Sequence, residues 1–432
     1  MTIKRTFLLA ILMVFGFLIF RASAQEDVYM KIQSGGFQPI AISIPPFISQ
    51  QPTDLTQKIR AVIINDLKLS GFFRVVDEVP GVQASGQTAG LGGALPASSA
   101  AAVRLLGTLG INGNELQLSA DLEELPGQQA IFRKKFQSAF GSFRWLAHQA
   151  ADEVVYYLIG ERGVASSRIA FTSGKSGVKE ISVMDYDAND LEKLTNMNSL
   201  NLSPAWSPDG KRIAFTSYKS GTPELVSMDI SSGAMTSLWK QGGLPTAPCW
   251  SPDGKKIAFT LTRDGNADIY IMDSGGGHLR RLTSGPSIDS SPSWSPTGNE
   301  IAFTSDRSGN PQVYLMDAEG GNVRRLTYLG NYNDSPAWSP RGDRIAYVSR
   351  EEGGFQIYTV EVTGENTTAL TNGEGSNENP SWSPDGLKVV FASNRTGKWD
   401  IYVMNWDGSH LRQLTDSGNH FSPKWSPRLS IK

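Results

Sequence analysis

The sequence predicts an α/β N-terminal domain followed by an all-β six-bladed β-propeller that its own C-terminal strand closes. Three observations carry this. Six copies of Pro-x-Trp-Ser-Pro set Trp206, Trp250, Trp294, Trp338, Trp382 and Trp425 at intervals of 44, 44, 44, 44 and 43 residues. A tandem period of roughly 40–45 residues with several short strands per unit is the mark of a propeller. Six apolar strand motifs, around Ile169, Ile213, Ile257, Ile301, Ile345 and Val389, keep the same period. Residues 25 to about 162 carry no trace of either motif, so they form a separate unit.

In chain order, residues 1–24 read as a secretory signal peptide. Lys4 and Arg5 precede an apolar run from Phe7 to Phe20, and Ala22-Ser23-Ala24 offers the small residues a signal peptidase reads, with cleavage after Ala24. The competing reading is a membrane anchor, but the run falls short of the roughly 20 residues needed to span a bilayer. No later stretch is long and apolar enough, so the mature chain is expected to be exported and not membrane-spanning. Loss of Lys4, Arg5 and Arg21 moves the net charge from −2 to −5. A mildly acidic chain lacks the basic field that phosphate backbones demand, which argues against nucleic acid as a partner. Cys249 is the only cysteine, so no internal disulfide can form.

Residues 25–162 are expected to fold as a small α/β domain. Pro39 to Ile44 reads as a buried strand ended by Pro45-Pro46, and Leu55, Ile59, Val62, Ile63 and Leu67 mark one face of a helix stopped by Gly71. Phe72–Val76 follows as a strand, residues 81–100 as a Gly/Ala/Ser-rich loop, and Val103–Leu109 and Glu115–Leu122 as strands around an Asn112-Gly113 turn. A strand over Ala130–Phe140 and a helix over Phe143–Ile159 complete the unit, and residues 163–167 link it to a propeller spanning 168–432. His148, on the last helix, is expected to be solvent-facing or half-buried, with no companion.

One repeat makes one blade. Pro292-Ser293-Trp294 is an inner strand and Ser295-Pro296-Thr297-Gly298 a type I turn. Glu300–Ser305 and Gln312–Asp317 are the second and third strands, and Arg324–Thr327 is a polar outer edge. The propeller region opens on second-strand residues, Arg168–Ser173, and finishes on an inner strand, Pro423–Pro427. One blade is therefore stitched from both ends, which removes the exposed edges of an open ring. A tryptophan repeated at one position of every blade reads as inter-blade core; stacking on sugars is the alternative.

No catalytic constellation is apparent. The histidines at 148, 278, 410 and 420 fall on different elements, Gly-x-Ser-x-Gly is absent, and Ser-Pro-Asp-Gly has the spacing of a plain turn. No cofactor or metal is expected. What remains is the channel mouth, where the loops leading into the inner strands converge: Leu200-Asn201-Leu202, Leu244-Pro245-Thr246, Ile288-Asp289-Ser290, Tyr332-Asn333-Asp334, Ser376-Asn377-Glu378 and Asn419-His420-Phe421. These differ from blade to blade where the scaffold is otherwise uniform. Either they recognise an asymmetric partner, or they are unconstrained loops that have drifted. On the first reading Leu200, Asn201, Leu244, Thr246, Asp289, Ser290, Asn333, Asp334, Asn377, Glu378, His420 and Phe421 are the candidate partner-binding residues. Asp289, Asp334 and Glu378 would make one side acidic.

With these features assembled, the chain resembles the TolB family, periplasmic components of the Tol–Pal system of Gram-negative envelopes. The likeness rests on the signal peptide, Pro39–Phe47, Asn65–Phe73, the helix ending Ala151-Asp152-Glu153-Val154, Val183–Asp187, and all six Trp-Ser-Pro repeats. The resemblance implies a non-enzymatic adaptor whose channel mouth receives the lipoprotein Pal. It also implies that an N-terminal segment including Gln25, Val28, Tyr29, Met30 and Lys31 communicates with TolA, strand addition being a suitable mode. The implied role is outer-membrane integrity and constriction during division, with bacteriocins and other outer-membrane proteins as further partners. The loop at 81–100, Leu244 in place of a histidine, and Ser237-Leu238-Trp239 where other repeats end Leu-Thr depart from the family pattern. An exported propeller enzyme or carbohydrate-binding propeller is the alternative. It would need converging histidines or exposed tryptophans at the mouth.

Overall fold

The computed structural model describes residues 38–76, 101–263, 265–373 and 375–429. The expected cleavage site at Ala24, the arm residues Gln25, Val28, Tyr29, Met30 and Lys31, and the loop at 81–100 lie outside the described residues.

The N-terminal region is a mixed sheet under two helices. Strand β1 (Ile40–Ser43) pairs in parallel with β3 (Phe73–Val76) and β4 (Val103–Asn112), and β2 (Ile48–Ser49) also joins β4. Antiparallel β5 (Glu115–Glu124) and β6 (Gln129–Ala139) complete it, in the order β3-β1-β4-β5-β6. Burial alternates along β4 and β5, as a sheet covered on one face requires. Helix α1 (Leu55–Ser70) buries the expected stripe of Leu55, Ile59, Val62, Ile63 and Leu67. It stops where Gly71 turns left-handed at φ 81°, its N–H returning to the Lys68 carbonyl. Helix α2 (Phe143–Ile159) buries Leu146, Ala147, Ala150 and Val154. No helix among the described residues is long and apolar enough to cross a membrane.

Six four-stranded antiparallel sheets follow. We number the blades from the one that contains Arg168–Ser173. Its inner strand is His420–Trp425, which pairs antiparallel with Arg168–Ser173, so blade 1 is built from both ends of the propeller. Each Ser-Pro-x-Gly closes as a tight turn: the N–H of Gly210, Gly254, Gly298, Gly342 and Gly386 donates to the carbonyl of Ser207, Ser251, Ser295, Ser339 and Ser383 respectively, at 2.9–3.0 Å. The six tryptophans are only 6–9 % exposed and lie in the apolar clusters between neighbouring blades. Several also staple the ring: Trp206, Trp250 and Trp382 donate their indole N–H to the carbonyls of Lys424, Ala205 and Ala337 on the preceding inner strand. Indoles buried in this way cannot serve as sugar-stacking platforms.

The inner strands carry a feature that the repeat does not advertise. Ser203, Ala247, Ser291, Ser335, Asn379 and Ser422, equivalent in the six blades, all have positive φ, at 54°, 48°, 56°, 53°, 56° and 49°. Each sits at a bulge where the ladder to the second strand shifts register.

The apolar core of the N-terminal region runs on without a break into the cluster between blades 6 and 1. Asp152 on α2 accepts hydrogen bonds from the backbone N–H of Ala165 and Ser166, at 2.7 and 2.8 Å, and so ties down the segment that leads into the propeller.

Candidate functional site: the channel mouth and the domain junction

Side chains on a strand point alternately to opposite faces, and this divides the mouth residues into two sets. The residue five places before each inner-strand tryptophan is buried. Asn201, Asn333 and Asn377 are 0 % exposed. Each donates its amide N–H across the blade boundary: Asn201 to Glu180 Oε2 (2.9 Å), Asn333 to Gln312 Oε1 (2.8 Å) and Asn377 to Gln356 Oε1 (2.9 Å). The same acceptors take a hydrogen bond from the threonine that ends their own blade: Thr195, Thr327 and Thr371. Those hydroxyls in turn accept from the backbone N–H of Ile181, Val313 and Ile357. The Leu-Thr ending of the repeat is therefore one half of an inter-blade clasp, and the buried asparagine is the other.

Asp289 and His420 occupy the same position. Asp289 is 1 % exposed and takes two hydrogen bonds from Arg307, at 3.0 and 3.1 Å. His420 is buried, with Nδ1 3.5 Å from Asp400 Oδ1, and burial holds its pKa below the ordinary value. Asn201, Asn333, Asn377 and His420 thus hold neighbouring blades together, while Asp289 is pinned to Arg307 within blade 4. They are not presented at the mouth, and Asp289 does not contribute to an acidic rim.

The residues on either side of that position are less enclosed. Leu200, Leu244, Thr246, Ser290, Asp334, Glu378 and Phe421 are all half-buried, and Ile288 is 53 % exposed. Asp334 accepts from Thr304 Oγ1 at 2.8 Å and from the Tyr332 hydroxyl at 3.3 Å. Burial, and then the Asp334 charge, push the Tyr332 phenol up to about 12. Glu378 has no hydrogen bond or ion pair among the described residues. Burial, and then Asp334, raise its pKa. The acidic edge is therefore Asp334 with Glu378, on blades 5 and 6.

Sequence reasoning missed the outer rim. Because the second strand rises to the mouth and the third leaves it, the loops between them share this face. Lys179 Nζ lies 3.8 Å above the Phe421 ring, Trp399 packs on Phe421 at 5.8 Å, and Phe355 packs on Tyr332 at 5.7 Å. Residues one repeat apart at the start of each third strand were the available signal: two of the six, Phe355 and Trp399, are aromatic.

The expectation for His148 is overturned. It is 1 % exposed and lies at the junction of the two regions, its Nδ1 2.7 Å from Asp66 Oδ2 and its Nε2 3.3 Å from Asp185 Oδ2. Burial alone would lower its pKa, but the hydrogen bonds and charges of Asp185 and Asp66 lift it to about 10. Arg144 donates to Asp185 at 3.0 Å and to Asp187 at 2.7 Å, and Tyr186 donates to Asp66 at 3.0 Å. His148, Asp185 and Asp187 have the composition of a metal site. Their ligand atoms are already spent on one another and on Arg144, so the cluster is an ion-pair lock between α1, α2 and blade 1.

Two family models match. The one described as the TolB beta propeller domain covers residues 156–427, and the TolB amino-terminal domain covers residues 28–91. The chain belongs to the TolB family. A TolB homolog of Chlorobium chlorochromatii is 36 % identical over 191 residues, 43 % of each chain. The Tol-Pal system protein TolB of Geobacter sulfurreducens is 40 % identical over 191 residues, which are 43 % of this chain and 44 % of that one. The matched stretch thus spans less than half the length of these curated relatives. Among solved structures, TolB from Acinetobacter baumannii superposes with a TM-score of 0.75 at 26 % identity, over 90 % of this chain and 97 % of that one. The agreement with a TolB structure extends across both regions.

Proposed function

We propose that this chain is a periplasmic, non-enzymatic adaptor of a Tol–Pal system. On this reading residues 1–24 are a signal peptide cleaved after Ala24, and the lipoprotein Pal docks on the channel mouth. The contact set narrows to the mouth-facing residues: Leu200, Leu244, Thr246, Ile288, Ser290, Asp334, Glu378 and Phe421, with Lys179, Phe355 and Trp399 at the rim. The arm residues Gln25, Val28, Tyr29, Met30 and Lys31 engage TolA, and together the two contacts serve outer-membrane integrity and constriction at division. Bacteriocins and other outer-membrane proteins are further occupants of the same mouth.

The observation that carries the reading is the asymmetry of this face. Blades 5 and 6 bring Glu378, a carboxylate without a partner among the described residues, beside Asp334, while Ile288 on blade 4 leaves a large apolar side chain half in solvent. Apolar anchors next to uncommitted charge suit a protein surface. Photo-crosslinking in intact cells tests it, with the reactive group placed singly at Ile288, at Ser290 and at Tyr29. The two mouth positions are expected to capture Pal, and Tyr29 to capture TolA. Capture of neither from any position would overturn the proposal.

A further inference from the structure

Deeper in the channel than the mouth, the six inner strands enclose an axial cavity of about 580 Å³. Its wall repeats around the ring: the bulge residues Ser203, Ala247, Ser291, Ser335, Asn379 and Ser422, then the prolines and serines of the Trp-Ser-Pro turns. Among the described residues no aspartate or glutamate lines it, and only two basic residues do. Arg428 is committed, donating to the carbonyls of Gly163 at 2.7 Å and Arg162 at 2.6 Å. The other is Lys424, at a position filled by Ala205, Cys249, Ser293, Ala337 and Ser381 in the other blades.

The Lys424 ammonium has no hydrogen bond or ion pair to any of the described residues. Burial lowers its pKa, and the group that opposes this is the thiol of Cys249, two blades around the ring. Both residues line the axial cavity. Burial also raises the thiol's pKa, which keeps it neutral and leaves the cation uncompensated. A half-buried ammonium without a partner among the described residues is stabilised when an opposite charge joins it. The cavity has room for a small ion with several waters, since each water needs only about 30 Å³. The hydroxyls of Ser203 and Ser335 on the same wall are likewise uncommitted among the described residues and can act as further donors.

We propose that Lys424 makes the axial cavity a binding site for one small oxyanion, a carboxylate or a phosphate. The ammonium supplies a charge-assisted hydrogen bond, and the serine hydroxyls complete the shell. The site is independent of what docks at the mouth, because Asp334 and Glu378 stand at the strand starts and Lys424 lies further along its own strand.

Titration of the full chain with sodium acetate, and separately with sodium phosphate, at fixed ionic strength tests the site. The readout is the backbone amide resonances of Cys249, Ser422 and Trp425. A saturable shift with either anion is expected, and the one that saturates at lower concentration identifies the ligand's chemistry. Lys424→Met should weaken that binding at least about tenfold, as loss of a charged hydrogen-bond partner does, while Lys424→Arg retains it. Crystals of the wild-type chain soaked in sodium bromide give a reading that needs no variant: anomalous density beside Nζ is expected. No saturable shift with either anion, an unchanged curve in Lys424→Met, or an empty cavity in the bromide soak would each overturn the proposal.

Discussion

Asn333 and Asp334 are neighbours in sequence and opposite in role. The asparagine is sealed between blades 4 and 5, donating to Gln312 at 2.8 Å and to the Leu329 carbonyl at 2.7 Å. The aspartate is half-buried and accepts from Thr304 and Tyr332. Replacing Asn333 by alanine leaves the buried Gln312 acceptor and the Leu329 carbonyl short of a donor, a loss of about 1–3 kcal/mol. Urea unfolding of Asn333→Ala is therefore expected to show that destabilisation, with the affinity of the remaining folded protein for its partner unchanged. A variant as stable as wild type but defective in binding would put Asn333 back at the interface. The distinction could have been drawn from the sequence. Asparagine recurs at this position in three blades, as Asn201, Asn333 and Asn377, and recurrence at one position of a repeat marks a structural part. Strand alternation says the same, since adjacent residues cannot both face the channel.

At the scale of elements, α2 does more than cover its sheet. Through His148 and Arg144 it reaches Asp185 and Asp187 at the end of the third strand of blade 1, while α1 supplies Asp66 and Asn65. The folded pKa of His148, about 10, lies above the ordinary 6.5 of a histidine. Its contribution to stability is therefore whole below pH 6.5 and is lost as the pH rises towards 10. Wild-type stability is expected to fall across that window, and His148→Gln should flatten the fall while losing about 3–5 kcal/mol near neutrality, the cost of leaving buried carboxylates without their cation. Denaturant midpoints for both proteins, measured at either end of that window, provide the check. Helix periodicity, glycine stops and strand spans were legible in the sequence because they depend on local pattern; Phe143–Ile159 is an example. The His148 lock was not, because its acids come from positions 66, 185 and 187, brought together only by tertiary packing.

For the whole molecule, the sequence disclosed the ring and its closure because one repeat, counted through, leaves an inner strand without a blade. It did not disclose the bulges, which put serine, alanine and asparagine at positive φ without a glycine to signal them. Nor did it disclose the rim built by Lys179, Phe355 and Trp399. The assembled picture is a propeller whose tryptophans, clasps and closing strand are committed to holding six blades together, and the proposed function assigns binding to its mouth face. Calorimetric titration of the full chain with the soluble domain of Pal from the same organism tests that picture most directly, with Ile288→Asp and Glu378→Lys as comparisons. Ile288 is exposed, Glu378 half-buried, and both lie outside the blade clasps, so both variants should fold normally. The account predicts saturable binding by the wild-type chain and a loss of at least about tenfold in each variant, as expected for anchors at the centre of an interface. Absent binding, or equal binding by all three proteins, would contradict it.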